Sequence, residues 1–189
     1  MDLPIQTSDI FKLLSKGQFI SSNSSNKAVC ELFNIMDNEE TYESLRSYFS
    51  HINFVLEKGD EYFYFSRAET KSDLENKIER AYKWIDIVDF LKTYDNAFGL
   101  GSRFSISDIL VKIKTDAELD SKLEGLSKSK ETQQEIIEKE IIKPLLEDTF
   151  IDLANDRTGE YKVLAAFKYI EQLIMIINIS EDVNYEIPE

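Results

Sequence analysis

Cysteine and histidine are scarce in this chain, and their scarcity removes several kinds of site. Among 189 residues there is one cysteine, Cys30, and one histidine, His51. A single cysteine cannot form an intrachain disulfide or a cysteine-rich metal site, and neither residue has a neighbour in sequence that would complete a nucleophile and base pair. Asp86, Asp89 and Asp95 follow no metal-ligand motif, and charged residues on a helix usually form its solvated face. We therefore predict no enzyme activity, metal or cofactor.

Glycine, proline and long apolar runs are also rare. Six glycines and three prolines leave few long loops and favour helices. The strongest apolar run, residues 173–177, is far shorter than the ~20 residues that span a bilayer. The first residues lack a basic segment followed by an apolar run, so we predict no secretory signal. These features predict a cytoplasmic protein without a membrane partner.

Basic residues are outnumbered, with 22 Lys and Arg against 36 Asp and Glu and a formal net charge of -14. The acidic excess is larger in residues 72–189 than in residues 1–71. Such a surface repels nucleic acid and anionic membranes at long range and suits a basic protein partner. Apolar residues, in contrast, make up 42% of the chain, and aromatic residues make up 12%. This composition is sufficient for a hydrophobic core.

Residues 53–66 are predicted to form a β-hairpin that turns at a Gly-Asp pair. Alternation along its second strand places Phe63 and Phe65 on one face and Tyr62 and Tyr64 on the other. Both faces are aromatic, so one should cover a local core while the other meets a second element or another chain. We assign the tyrosines outward, because their hydroxyl groups tolerate a wet boundary.

The order of elements in residues 1–71 is typical of a winged-helix unit. Apolar spacing and capping residues predict a helix, a very short strand, two further helices and then the hairpin. Their expected positions are 9–16, 19–20, 27–36, 37–51 and 53–66.

Residues 72–179 are predicted to repeat that order, although the letters do not repeat. The expected elements are a long helix from 72, a short strand at 103–105, a helix capped by Ser107, a helix from a capping box at 115–118, a helix at 131–147 that Pro144 kinks, a hairpin at 150–164 and a last helix at 165–179. We predict a mostly α fold with small β-hairpins (α+β). It comprises two tandem winged-helix domains, 1–71 and 72–179, and an acidic tail, 180–189, that is extended or loosely held.

A winged helix first suggests DNA binding through its third helix, but the charges disfavour this. In the first unit that helix has three glutamates and one arginine, Arg46, and in the second unit residues 130–148 contain six acids and three bases. Acidic helices repel phosphate. Lys58 and Arg157, in the two predicted wings, could contact the DNA backbone, although solubilising turn residues are the simpler interpretation. A winged-helix transcriptional regulator stays the alternative function.

Apolar residues beyond the needs of a small core mark two surfaces. The last helix is apolar almost all round near its end, where Leu173, Met175 and Ile176 lie. With the four aromatic residues of the hairpin strand, these are the candidate protein-interface residues. Alternatively, the two units could pack against each other, which would also explain this excess of apolar residues.

Gly17, Phe19, Ile20 and Ser21 precede the aromatic strand 62–65 in roughly the first third of the chain. These residues resemble those of MukE-like proteins, which include the MksE and Wadjet-type branches. The first four match the pattern of that family residue by residue, and strand 62–65 matches its aromatic first wing. The element order is similar over nearly the whole chain. MukE-like proteins are tandem winged-helix subunits that accompany a kleisin in bacterial condensins, so the resemblance carries no catalytic residue.

The resemblance implies a non-catalytic accessory subunit that supports chromosome organisation or plasmid defence. We expect a homodimer formed largely through the N-terminal units, which binds the kleisin and, through it, an SMC-type ATPase. DNA contact is expected to be indirect or weak, and the location cytoplasmic and nucleoid-associated. Replacing Tyr62 and Tyr64 with glutamate should then leave a folded protein that neither dimerises nor binds kleisin.

Overall fold

The computed structural model describes residues 3–67, 71–127 and 129–183, and in 72–74 and 178–183 it describes the backbone alone. In chain order the elements are α1 Thr7–Leu14, β1 Ile20–Ser21, α2 Lys27–Asp37, α3 Glu39–Ser50, β2 Val55–Lys58, β3 Tyr62–Ser66, α4 Lys71–Tyr94, β4 Arg103–Phe104, α5 Ile106–Ile113, α6 Ala117–Leu126, α7 Gln133–Ile136, a π-helical segment Ile137–Ile142, α8 Lys143–Glu147, β5 Ile151–Asn155, β6 Glu160–Val163 and α9 Phe167–Val183. The predicted α+β class is confirmed. Helix α9 includes the first residues of the predicted tail, whereas residues 184–189 lie outside the described part.

Side-chain caps fix where several helices begin. Asn38 accepts a hydrogen bond from the backbone N–H of Thr41 at 3.1 Å, so it starts α3. Ser105 and Asp108 form a reciprocal capping box at the start of α5. The predicted cap at Ser107 is therefore wrong. Strand β4 ends at Phe104, one residue earlier than predicted, and the capping box of α5 begins at the next residue.

Pro144 has a different effect from the predicted kink. It has no backbone N–H to donate to the carbonyl of Glu140, and the chain widens into the π-helical segment just before it. The N–H of Lys143 bonds five residues back, to Glu138. The wider turn buries Ile137, Ile141 and Ile142 together.

The two halves contain sheets of the same topology. Each is antiparallel and three-stranded, with orders β1-β3-β2 and β4-β6-β5. In both, the short first strand pairs with the second strand of the hairpin, as in the pairs Ile20 with Phe63 and Phe104 with Tyr161. The predicted repetition of element order therefore extends to strand pairing.

One hydrophobic core lies between the first three helices and one face of the β2–β3 hairpin. Its buried members are Ile10, Leu14, Ile20, Leu32, Phe33, Met36, Leu45, Phe49, Leu56 and Phe63. Phe65 is partly buried beside it, with its ring centroid 4.8 Å from that of Phe49. The predicted assignment of Phe63 and Phe65 to a common core-facing side is confirmed.

A second core is built from α4, α5, α6, the π-helical segment, the second sheet and α9. Two of its buried members, Phe19 and Tyr62, come from the N-terminal half of the chain. The β2–β3 hairpin is thus a layer between two cores, which explains why neither of its faces is polar.

Gly59 lies in the turn of this hairpin, in contact with the ring of Tyr62. A Cβ atom at Gly59 would lie 2.1 Å from Tyr62 Cζ. We expect Gly59→Ala to lower the free energy of unfolding by about 1–3 kcal/mol, because the ring or the turn must move. Urea denaturation followed by circular dichroism measures this change.

Gly125→Ala is the matched control for that substitution. A Cβ atom at Gly125 would meet no described atom within 4 Å. Gly125 lies inside α6, where alanine is favoured over glycine by up to about 1 kcal/mol. The control should be at least as stable as the parent chain. Equal stability of the Gly59→Ala variant would contradict the close contact between the turn and Tyr62.

Candidate protein-binding groove

The tyrosine face of the hairpin packs against the second half of the same chain. Tyr62 is only 2% exposed, and its ring centroid lies 5.8 Å from that of Phe19. Phe19 in turn lies 5.0 Å from Phe150, and Tyr64 lies 5.2 Å from Tyr169 on α9. The outward assignment of the tyrosines is therefore wrong for Tyr62, because a second element of this chain covers that face.

Burial in this aromatic cluster also changes the acidity of its phenol groups. Removal from water raises the pKa of Tyr64 to about 12, and the neighbouring Tyr169 adds to the shift. The pKa of Tyr62 is raised for the same two reasons. Both phenols are therefore neutral at physiological pH.

Polar contacts attach the loop at residues 21–26 to the second hairpin. The side chain of Asn23 donates to the carbonyl of Val163 at 3.1 Å and accepts from the N–H of Ala165 at 2.8 Å. The carboxylate of Asp152 accepts from the hydroxyl of Ser24 at 3.0 Å and from the N–H of Ser25 at 2.5 Å. The sequence shows only a polar loop here, since its partners lie about 130 to 140 residues away.

Thr149 makes a further link between the halves. It has a left-handed backbone conformation, with φ of 58°. Its hydroxyl accepts a hydrogen bond from the N–H of Phe19 at 2.7 Å and lies 2.9 Å from the Phe19 carbonyl oxygen. The backbone N–H and carbonyl groups of Phe19 therefore face the second half of the chain.

An apolar groove of about 510 Å³ lies where the hairpin, α4 and α9 meet. Cavities of this size with mainly apolar walls are typical of binding sites. Its walls contain apolar side chains from both halves, namely Phe19, Tyr64, Phe65, Ile78, Ala81, Trp84, Phe150, Tyr169, Ile170, Leu173 and Ile177.

A cationic end adjoins this groove. A second cavity of about 320 Å³ shares Phe65, Lys77 and Arg80 with the first, and it is also lined by Lys16 and Arg67. Its lining residues within the described part of the chain include four cations and no carboxylate. This local charge is opposite in sign to the net charge of -14.

Arg80 and Asp148 form an ion pair at the junction of the two cavities. Nη2 of Arg80 lies 2.6 Å from each carboxylate oxygen of Asp148. Burial raises the pKa of Asp148, and the guanidinium opposes that shift without reversing it. The pair fixes the position of the arginine at the mouth of the groove.

The structure brings together some of the predicted interface residues and separates others. Tyr64, Phe65 and Leu173 line the groove. Met175 and Ile176 are each 63% exposed on α9 and do not line it. Sequence reasoning missed the part of α4 before Trp84, where Ile78 and Ala81 line the groove, because most of their neighbours in sequence are charged or polar.

The two predicted DNA-contact residues lie in different surroundings. Lys58 forms an ion pair with Asp37 at 2.8 Å, and its ammonium group lies 5.6 Å from the ring centroid of Phe63. Arg157 is exposed in the turn between β5 and β6. Lys58 is thus engaged within the chain.

The described residues contain no candidate metal site and no candidate membrane span. Across 3–67, 71–127 and 129–183, no group of three or more His, Cys, Asp or Glu side chains is placed to hold a metal ion. No helix in the same part of the chain is long and apolar enough to cross a bilayer.

The sequence profile of the family described as condensin complex protein MksE matches residues 5–174. The chain belongs to the MksE family. The resemblance to MukE-like proteins is thereby confirmed. No individually curated protein matches this MksE-family chain.

Membership of the MksE family associates the chain with a condensin complex. The family description names a component of that complex and no catalytic activity. The matched segment contains β1, the aromatic hairpin and α4, and it ends within α9. Every lining residue of the apolar groove except Ile177 therefore lies within the part of the chain that defines the family.

Proposed function

We propose that this MksE-family chain is a non-catalytic accessory subunit of an SMC-type condensin complex and that its apolar groove binds a segment of the kleisin subunit. The observation that carries the proposal is the groove between α4, α9 and the hairpin, which is open although its walls are mainly apolar. A cavity of about 510 Å³ with mainly apolar walls usually marks a ligand or protein contact.

A substitution in the wall of the groove tests kleisin binding. Ile78 lines the groove and is 47% exposed, so Ile78→Glu should place a charge in the site without disturbing a core. We expect at least a tenfold loss of affinity for the purified kleisin, measured by isothermal titration calorimetry, since an interface residue of this kind contributes about 1–2 kcal/mol or more.

Val111→Glu is the control for this experiment. Val111 is an exposed apolar residue on α5 and does not line the groove. Its substitution adds the same charge, so affinity should stay at the parent value. Equal kleisin affinity in both variants would place the binding site elsewhere, and no affinity in the parent chain would remove kleisin binding from the proposed function.

We also infer that the two halves, residues 1–71 and 72–179, are winged-helix units. The identical strand orders support this, as does the position of two or more helices between the first strand and the hairpin in each half. Their acidic third helices make direct reading of DNA unfavourable. DNA contact is accordingly indirect or weak, and the chain acts in the cytoplasm at the nucleoid, in chromosome organisation or plasmid defence.

We further propose a homodimer formed through the N-terminal half. Tyr48, Ile52 and Val55 are exposed apolar residues at the end of α3 and the start of β2. Strand β2 is also an edge of its sheet, and an open edge with apolar neighbours is suited to pairing with another chain.

Two equally exposed residues test this dimer. Val55 in β2 and Leu153 in β5 are each 42% exposed, and both strands are sheet edges. We expect Val55→Glu to halve the mass measured by light scattering after gel filtration, because a charge at the contact opposes association. Leu153→Glu should leave the dimer mass unchanged. Halved mass in the Leu153 variant alone would move the interface to the second half.

A further inference from the structure

Helix α9 ends beside the cationic end of the groove. Near its start, Glu171 forms an ion pair at 2.9 Å with Lys92, which lies near the end of α4. Further along, Ile177 shares the groove with Ile78, which lies near the start of α4, so the two helices run antiparallel. From Ile177 the helix continues to Val183, a rise of about 9 Å. It therefore ends level with the first turns of α4, which line the second cavity.

Residues 184–189 follow α9 directly and have the sequence Asn-Tyr-Glu-Ile-Pro-Glu. They contain two acids and no base, and two further acids lie just before them in residues 180–183. In an extended segment Tyr185 and Ile187 would share one side, and Glu186 would point to the other. Six extended residues span about 20 Å. The segment is therefore long enough to turn back from the end of α9 to the cationic end.

The cationic end matches both kinds of side chain in this segment. Lys16 and Arg67 are exposed there, and 63% of the Arg80 side chain is exposed. The same cavity is lined by the apolar side chains of Phe54 and Phe65. Acidic side chains can pair with the cations while neighbouring apolar side chains contact the rings.

The covalent link to α9 favours the chain's own segment over that of a second copy. Both copies carry the same acids, so charge alone does not distinguish them. A short linker gives the tethered segment an effective concentration in the millimolar range, about 100-fold above a protein solution of about 10 μM. Two chains with a net charge of -14 also repel each other at long range, and binding of the tethered segment brings no second chain closer.

We propose that residues 184–189 turn back from the end of α9 and bind the cationic end of their own chain, with Glu186 and Glu189 beside Lys16 and Arg67. Bound in this way, the segment covers one end of the apolar groove and competes with whatever enters it. The competition with kleisin rests on the proposed function, whereas the position of the segment does not.

A nitroxide label at residue 188 tests that position in the full chain. The label is attached through Pro188→Cys in a Cys30→Ser background, because Cys30 is the only native cysteine. Broadening by the nitroxide is measured on backbone amide signals by NMR. Gly17 and Ser66 line the cationic end and should lose most of their intensity. Val111 should keep its intensity, because α5 contacts the opposite end of α4.

Charge reversal at the cationic end should release the segment. In the labelled Lys16→Glu and Arg67→Glu double variant, most of the lost intensity should return, and raised salt should act in the same direction. The matched control is the Lys27→Glu and Lys114→Glu double variant, in which both residues are exposed and neither lines the groove or its cationic end. Its broadening should equal that of the parent chain.

A mixed sample separates the chain's own segment from that of a second copy. Isotope-labelled chain without a nitroxide is mixed with nitroxide-labelled chain that carries no isotope. The signals of Gly17 and Ser66 should keep their intensity in this mixture. Broadening there would overturn the proposal in favour of binding between copies. Absence of broadening within the labelled chain, or equal release in both double variants, would overturn it outright.

Kleisin affinity measures the competition separately. The Glu186→Lys and Glu189→Lys double variant leaves the groove unchanged and should bind kleisin roughly 3- to 10-fold more tightly, because the free groove is populated more often. Glu31→Lys with Glu124→Lys makes the same charge change at exposed residues outside the groove and should have the parent affinity. Equal affinity in both variants would overturn the competition. If no variant binds kleisin, the proposed function fails while the position of the segment stands on the NMR result.

Discussion

Phe19→Ala is expected to lower the free energy of unfolding by about 3–5 kcal/mol, the range for a buried phenylalanine. Phe19 is 8% exposed and belongs to the second core, although it precedes β1 in the first half. Its ring lies within 6 Å of the rings of Tyr62, Tyr64, Phe150 and Tyr169. Loss of this ring removes contacts on both sides of the boundary between the halves.

Urea denaturation followed by two probes measures this effect. The fluorescence of Trp84 reports on the second half, and far-ultraviolet circular dichroism reports on both. In the parent chain the two transitions should coincide, and in Phe19→Ala they should separate if the halves lose their coupling. Phe19→Leu keeps most of the apolar volume and should cost less than about 1.5 kcal/mol. A cost below that value for the alanine variant would contradict the coupling role of Phe19.

Tyr62→Glu is expected to destabilise the chain strongly above pH 5. Tyr62 is almost fully buried, so the new carboxyl group would lose its hydration, and burial would raise its pKa above the unfolded value of about 4.3. A raised acid pKa means that the folded state holds the proton longer, so stability falls as pH rises from the unfolded pKa to the folded one. The loss grows by about 1.4 kcal/mol per pH unit in this window.

Thermal unfolding of the variant at pH 5 and pH 8 measures that dependence, with the parent chain at the same pH values as reference. Tyr62→Phe keeps the ring and should show little extra dependence on pH. For the replacement of both Tyr62 and Tyr64 with glutamate, the sequence alone predicts a different result, namely a folded protein that has lost its partner. A Tyr62→Glu chain as stable as the parent at pH 8 would restore that interpretation and contradict the packing of Tyr62 inside the chain.

Local patterns were sufficient for the elements of this fold but not for their partners. The alternation of Phe63 and Phe65 identifies the strand and its core-facing side, because side-chain direction in a strand has a period of two. No local pattern shows what covers Tyr62, since Phe150 and Tyr169 lie about 90 to 110 residues away in the sequence. From the sequence, either a second element of the same chain or another chain could cover this face of the hairpin. In the structure, a second element of the same chain covers it.

The groove escaped prediction for a related reason. Lys16, Arg67 and Arg80 are far apart in the sequence, and a summed charge of -14 conceals a cationic cluster that only the fold assembles. Leu173 was identified because α9 has an apolar surplus, whereas Ile78 was not, because it is a single apolar residue among charged neighbours. The excess of apolar residues in α9 indicates that this helix has an interface surface. The shape of the groove depends on how α4 and α9 pack against each other.

The bond between Phe19 and Thr149 also has a consequence for synthesis of the chain on the ribosome. The two residues are separated by 130 positions. At translation rates of 5–20 residues per second, Phe19 is synthesised roughly 6 to 26 s before Thr149. During that interval the aromatic face of the first hairpin has no covering element from its own chain. The last third of the protein therefore covers an aromatic face in the first third, and a chain that stops early leaves this face exposed to water.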